Sequence, residues 1–334
     1  MSAAVAPPQA WLSPLGALMG GAASLRAALY RRGLLRQARL DGRVISVGNL
    51  RVGGSGKSPV VAHLAQRLIA EGHAVSILSR GYGGSFRGPC LVVSDGTSVL
   101  ATAEAAGDEP VMLARRVLGA VVAVGAHRDL VGREVEARFG RRVHLLDDGF
   151  QHLRLARDLD IVCVTLADLR DRPLPAGWLR EGRSALARAD VVLLSTDGAS
   201  REASDAARDS LGRERTFVVS RRARGFFAAD GTPRPAPARP FLLSGIARPE
   251  RFAADVPAHV GHAAYGDHHA FRAADLDAAV ARARALGADA LVTTEKDAVR
   301  LPARSWDPPL LVFGIEVAVE DDARLTARLR SALA

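Results

Sequence analysis

The chain has 334 residues, 48% of them hydrophobic and 24% charged, which is enough for a sizeable core and for two domains, since single cores stop growing at about 250–300 residues. No run of about 20 apolar residues occurs, which argues against a spanning helix, and Cys90 and Cys163, the two cysteines, lack metal-ligand spacing and disulfide density and so fit a reducing compartment. The net charge is +9, and all but two of the 45 basic residues are arginine, the exceptions being Lys57 and Lys296.

Residues 1–40 contain no acid, and Arg26, Arg31, Arg32, Arg36 and Arg39 follow the apolar stretch AWLSPLGALMGGAASL. Positive residues precede the apolar core in a secretory signal peptide, so this order is wrong for one. Two readings stay open. In one, an interfacial helix dips Trp11, Leu12, Leu15, Leu18 and Met19 among headgroups and sets its arginines on anionic lipid; in the other, a first helix packs on the core behind a solvated basic face. Nucleic acid is not expected, because the arginines are scattered and aromatics make up 5% of the chain.

Short β-branched runs then alternate with helical stretches, the pattern of βαβ units and a mostly parallel sheet with helices on both faces. Strands are predicted at 43–49, 74–80, 120–126, 142–148, 159–166 and 189–196. Residues 58–70 carry apolar side chains at Val60, Val61, Leu64, Ala65, Leu68 and Ile69, as a helix against a sheet does. The proline-rich interval 229–240 punctuates the chain, after which PFLLSGI, ALVTTEKD and PLLVFGIEV predict strands and 275–286 a helix. The expected organisation is a helix over 1–40, a P-loop NTPase-like domain over 41–223, a linker over 224–240 and a smaller α/β domain over 241–334.

The first chemical motif is VGNLRVGGSGKSP, at 47–59. A strand, a glycine-rich turn and Lys57-Ser58 opening a helix form the context of a phosphate loop, with backbone N–H groups on phosphate oxygens, a lysine on the β/γ-phosphates and a hydroxyl on Mg²⁺. Nucleotide binding is therefore expected over Val52, Gly53, Gly54, Ser55, Gly56, Lys57, Ser58 and Pro59, although Arg51 stands where the usual pattern has its first glycine. SRGYGGSFRG, at 79–88, reads as a loop with Arg80, Tyr82 and Arg87 that either turns or touches a sugar or phosphate. In AAGDEPVMLARR, at 105–116, Asp108 reads as a helix cap with Glu109 on the positive helix end, or as the carboxylate that phosphoryl transfer to a hydroxyl needs. HLLDDGFQH, at 144–152, puts Asp147 and Asp148 at the carboxyl end of a strand, where a Walker B acid orients Mg²⁺. PLPAGWLREGRSAL ends in Arg180 and Arg183, suited to phosphate. YGDHHAF sets His268 and His269 beside Asp267 as a solvated loop or one half of a His–Asp pair across a cleft, and TTEKDAVR holds the second lysine.

In this order, VGNLRVGGSGKSP, SRGYGG, GDEP, LLDDGFQHLRLARDLDIV, LPAGWLRE, DHHAF and TTEKDAVRL resemble the tetraacyldisaccharide 4′-kinase family, the lipid A 4′-kinases of Gram-negative bacteria, and they span nearly the whole chain. The resemblance implies a monotopic enzyme on the cytoplasmic face of the inner membrane that transfers the γ-phosphate of ATP to the 4′-hydroxyl of tetraacyldisaccharide 1-phosphate, giving lipid IVA. It implies ATP on Gly53, Gly54, Gly56 and Lys57, and Mg²⁺ on Ser58, Asp147 and Asp148 with Glu109 close by. It further implies Asp108 paired with His268 as a catalytic dyad, Arg180 stabilising phosphate, and Glu295, Lys296 and Asp297 near the nucleotide. Two departures are small: Ser55 and Ser58 replace the commoner threonines, and LREG replaces LREP. No obligate protein partner is evident.

Overall fold

The computed structural model of the protein describes residues 10–53, 56–196 and 198–334. After a 3-10 turn over Ala10–Leu12 come α1 (Ser13–Arg31), β1 (Val44–Asn49), α2 (Lys57–Ala70), β2 (Val75–Ser79) and β3 (Leu91–Asp95). Next are α3 (Ala103–Ala106), α4 (Asp108–Arg116), β4 (Val121–Val124), α5 (Arg128–Phe139), β5 (Val143–Asp147), β6 (Leu159–Thr165) and β7 (Val191–Ser195). The remainder comprises α6 (Arg201–Leu211), β8 (Thr216–Phe227), β9 (Pro233–Arg234), β10 (Pro240–Ser244), α7 (Pro249–Asp255), β11 (Gly261–Ala264), α8 (Ala273–Ala285), β12 (Ala290–Thr294), α9 (Glu295–Ala298), β13 (Leu310–Val319) and α10 (Asp322–Leu333).

These strands form one thirteen-stranded sheet in the order β11-β10-β12-β13-β8-β7-β6-β1-β5-β2-β4-β3, with β9 paired to β8. The two blocks β8-β7-β6-β1-β5-β2-β4 and β11-β10-β12-β13 are each parallel within themselves. They meet where β13 runs antiparallel to β8, from Val312 opposite Phe227 to Val319 opposite Val219, with a register shift at Gly314/Ile315. The interval expected as a linker thus contains the end of β8 and the hairpin strand β9. The sequence did not predict β8, because SRRARG reads as polar; Arg222, Ala223 and Arg224 in succession are exposed. It also missed the edge strands β3, LVVSD, and β11, GHAA.

Alternation sends neighbouring residues to opposite faces. Ile45, Val122 and Leu193 pack with Val60, Leu64 and Leu68 of α2 and Leu325 and Leu329 of α10 on one face. Val44, Val121 and Leu146 pack with Val131 and Val135 of α5 on the other. Each fully buried Leu or Val contributes about 1.5–3 kcal/mol, so helices are fixed on both faces by apolar burial.

Helix α1 turns its small residues inward: Gly16, Gly20 and Ala27 are buried. A Cβ on Gly16 would sit 2.8 Å from the Pro173 carbonyl oxygen, so only glycine lets the helix lie this close to the 173–176 loop. Outward stand Leu15, Met19 and Leu25 with Trp11, 76% exposed, and Leu18, 69% exposed, at helical spacing on one side. No described helix is long and apolar enough to cross a membrane.

At the site end of β1, Gly48 lies under the turn that follows β5. A Cβ there would meet Phe150 Cβ at 2.5 Å and its backbone nitrogen at 2.7 Å. Gly48→Ala must push Phe150 away, so it is expected to cost about 1–3 kcal/mol, read as a lower urea midpoint at unchanged slope.

Candidate active site

The carboxyl ends of β1, β2 and β5 converge on the glycine-rich loop. Gly56, at φ 73°, takes the position before the first turn of α2 in the left-handed region that glycine reaches without strain, which turns the chain into the helix that starts at Lys57. The Lys57 ammonium donates to Asn49 Oδ1 at 3.0 Å and lies 3.3 Å from Asp148 Oδ1. Arg180 donates to the other oxygen of Asp148 at 2.8 Å and to Gln151 Oε1 at 3.2 Å. Burial pushes the Asp148 carboxyl up, but Lys57 and then Arg180 outweigh it and hold the group below its ordinary value. Asp148 is thus the counter-ion of both cations.

Asp147 differs although it is adjacent. Ser79 donates to its Oδ2 at 3.1 Å, while its buried Oδ1 has no hydrogen-bond partner among the described residues. Burial, with the negative charge of Glu109 next, pushes its pKa up to about 7. A buried acid with an orphaned oxygen beside a second acid is the donor set that a divalent cation relieves. Ser58 and Glu109 line the adjoining cavity. Among the described residues, no group of three or more His, Cys, Asp or Glu is arranged to hold a metal alone.

Asp108 begins α4, and Gly107, not Asp108, occupies the N-cap position. The capping reading of this acid is therefore replaced by a long-range one: Asp108 Oδ2 lies 2.9 Å from His268 Nδ1 and 3.4 Å from Arg300 Nε. Among the described residues, only Asp148 (φ 55°) and His268 (φ 58°) have positive φ without being glycine. Such backbone costs about 1–3 kcal/mol and persists where its surroundings over-determine it.

A cavity of about 570 Å³ opens beside the loop, lined by Gly56, Ser58, Pro59, Glu109, Glu295 and Lys296 among others, with Phe252 and Phe313 on its apolar wall. Glu295 is ion-paired to Arg116 at 3.0 Å and to Arg224 at 3.3 Å. Asp297 is fully buried and spends its carboxylate on Thr294, the Gly245 N–H and Arg300, so it supports the turn instead of lining the cavity. Val52 donates its N–H to the Trp178 carbonyl at 2.9 Å. Gly54 and Ser55 lie outside the described residues. Arg51, in place of the usual glycine, donates to Asp168 and Asp171 at 3.1 Å each and so pins the loop's base.

Four supporting residues escaped the sequence reading. Asn49, Gln151 and Ser79 hold Lys57, Arg180 and Asp147 in place. Arg128, 6% exposed after β4, donates to the Ala126 carbonyl at 2.9 Å and feels the charges of Asp147 and Asp148. The signal for Arg128 was its place just past a predicted strand end; the others are common polar residues with no spacing to mark them.

Fold and site together define a mixed α/β protein with a mostly parallel sheet and a ligand cavity at the carboxyl ends of its strands, the usual position in such sheets. The sequence profile of the Tetraacyldisaccharide-1-P 4'-kinase family matches residues 8–334. The chain is 45% identical to the tetraacyldisaccharide 4'-kinase of Anaeromyxobacter sp. over 97% of this chain and 92% of that one. It is 39% identical to the enzyme of that name from Desulfotalea psychrophila over 89% of each. The crystal structure of LpxK from Aquifex aeolicus in complex with ATP superposes with a TM-score of 0.78 at 28% identity, covering 97% of this chain and 98% of that one. The chain belongs to the tetraacyldisaccharide-1-P 4'-kinase family.

His152 gives the site region a pH dependence. Burial, then the charge of Arg128, pushes its pKa down to about 4. The unfolded chain takes up this proton near pH 6.5 and the folded one does not, so the folded state loses stability as pH falls from about 6.5 to about 4. His152→Gln is expected to narrow the difference between urea midpoints measured at about pH 7.5 and about pH 5.

Proposed function

We propose that this kinase of lipid A biosynthesis transfers the γ-phosphate of ATP directly to the 4′-hydroxyl of tetraacyldisaccharide 1-phosphate, giving lipid IVA, with no phosphoenzyme. The observation that carries the reading is the 2.9 Å contact between Asp108, at the start of α4, and His268, in the loop after β11, two groups from different halves of the sheet whose neighbours Glu109 and Lys296 line the cavity. A carboxylate oriented by an imidazole is suited to accept the proton of an attacking hydroxyl.

In this reading the glycine-rich segment 52–59 binds the triphosphate and the apolar wall of the cavity takes the base. Lys57, positioned by Asn49 and Asp148, faces the charge that develops on the transferred phosphoryl group, and Arg180 stands on the other side of Asp148 to the same end. Ser58, Asp147 and Glu109 fit Mg²⁺, which one or two carboxylates and substrate phosphates ordinarily hold, and Asp148 stays with the two cations. When bound, the ion supplies charge neutralisation on the phosphates. Asp108 takes the 4′-hydroxyl proton as the oxygen attacks phosphorus in line, and ADP departs.

The exposed apolar side of α1 and the arginines that follow it support a location at the cytoplasmic face of the inner membrane, with the lipid substrate. Helix α1 lies in the interface and does not span it.

In detergent micelles with γ-labelled ATP, Mg²⁺ and tetraacyldisaccharide 1-phosphate, the protein is expected to label the lipid; absence of labelled lipid overturns the reading. Asp108→Asn should lower kcat by about 10²-fold or more with ATP affinity within about twofold, and near-normal turnover rejects Asp108 as the base. Leu18→Glu with Met19→Glu should weaken partition onto anionic vesicles by about tenfold or more while ATP binding is unchanged; equal partition rejects the α1 interface.

A further inference from the structure

The second lysine lines the cavity and also reaches the histidine loop. Lys296 Nζ lies 3.3 Å from His268 Nε2 and donates to Asp267 Oδ1 at 3.2 Å, and Asp267 Oδ2 is 3.8 Å from the same ring nitrogen. An ammonium has three donors and no acceptor. The ring nitrogen that faces it must therefore offer a lone pair, which leaves the proton on Nδ1, the nitrogen that faces Asp108.

The spacing is fixed by backbone shared between the two segments. The Gly245 carbonyl accepts from the His268 N–H at 3.1 Å and from Arg300 at 2.9 Å, while the Gly245 N–H donates to the buried Asp297 carboxylate at 3.1 Å. Asp297 and Arg300 follow Lys296 within the next four residues, and Arg300 also donates to the His269 carbonyl at 2.9 Å. The turn and the histidine loop are therefore tied to the same backbone. On the other side of the ring, His268 and Arg300 both address Asp108 Oδ2, and Oδ1 carries no hydrogen bond among the described residues. The groups that face the imidazole are Asp108, Asp267 and Lys296, with Tyr82 edge-on at 6.3 Å between ring centroids.

We propose that Lys296 is a positioning residue that fixes the His268 tautomer, accepted at Nε2 and donating from Nδ1, and so keeps Asp108 Oδ1 free to take the acceptor's proton. This rests on the reading of Asp108 and His268 as the catalytic pair.

The test is ¹⁵N-histidine NMR of the full chain, with His268→Gln assigning the resonances, alongside steady-state kinetics. Wild type is expected to show a protonated Nδ1 and an unprotonated Nε2 at His268. Lys296→Met should shift this ring toward the Nε2–H form and lower kcat by about tenfold or more, with KM for ATP within about twofold. Lys296→Arg, which keeps a donor, should restore the wild-type tautomer and most of kcat. A protonated Nε2 in the wild type, an unchanged tautomer in Lys296→Met, or a rise in KM for ATP at constant kcat overturns the proposal. Unchanged kcat in Asp108→Asn overturns the dyad itself and leaves the tautomer measurement readable, so the two failures are told apart.

Discussion

The antiparallel pairing of β13 with β8 is the constraint from which the rest of the molecule follows. Two parallel blocks could each close on its own helices, but each would then leave an unpaired edge whose N–H and C=O groups need partners. Pairing along most of β8 removes both edges at once and fixes the two blocks in a single register. Because the register is fixed, the loop after β11 reaches back to the start of α4, and Asp108 and His268 come within 2.9 Å although 160 positions separate them in the chain. The ion pairs from Glu295 to Arg116 and Arg224 lie along the same joint.

Charge in this protein is divided by chemistry. Arginine does most of the fastening: Arg51 on Asp168 and Asp171, Arg188 on Glu181, Arg300 on Asp297 and two backbone carbonyls. A planar fork with five donors suits such fixed multi-point contacts. The two lysines stand where a compact ammonium faces a group that takes part in the proposed chemistry, Lys57 at the glycine-rich loop and Lys296 at the imidazole. Paired acids divide in a similar way. Asp148 is held anionic by its cations, while Asp147, one residue earlier and on the strand's inner side, is pushed toward neutrality by burial and Glu109.

Much of the fold was legible because β-branched runs and helical apolar spacing are local signals, and most predicted strands lie within a residue or two of the observed ones. What could not be read locally was β8, a strand made by its neighbours on both sides; a polar SRRARG stretch carries no such instruction. The site divides along the same line. Lys57, Ser58, Asp147 and Asp148 are marked by strand ends and glycines, but the Asp108–His268 contact came only through family resemblance, since no spacing encodes a meeting across the sheet. Asp108 as a cap was a sound local reading, displaced by Gly107. Asp297, drawn toward the nucleotide by its motif, turned out to be fully buried under the turn.

One packing contact bears on how the chain is built. Helix α2, which begins at Lys57, meets α10: His63 lies 3.0 Å from Asp322, and Leu325 and Leu329 share its apolar cluster. These partners lie 259 positions apart. On a growing polypeptide α2 and the strands it packs on therefore emerge long before α10 exists to meet them. Contacts of such separation form late and slowly, and the exposed apolar surface in the interval is where association with other chains competes with folding. Residues 322–333 thus join α2 near the end of assembly.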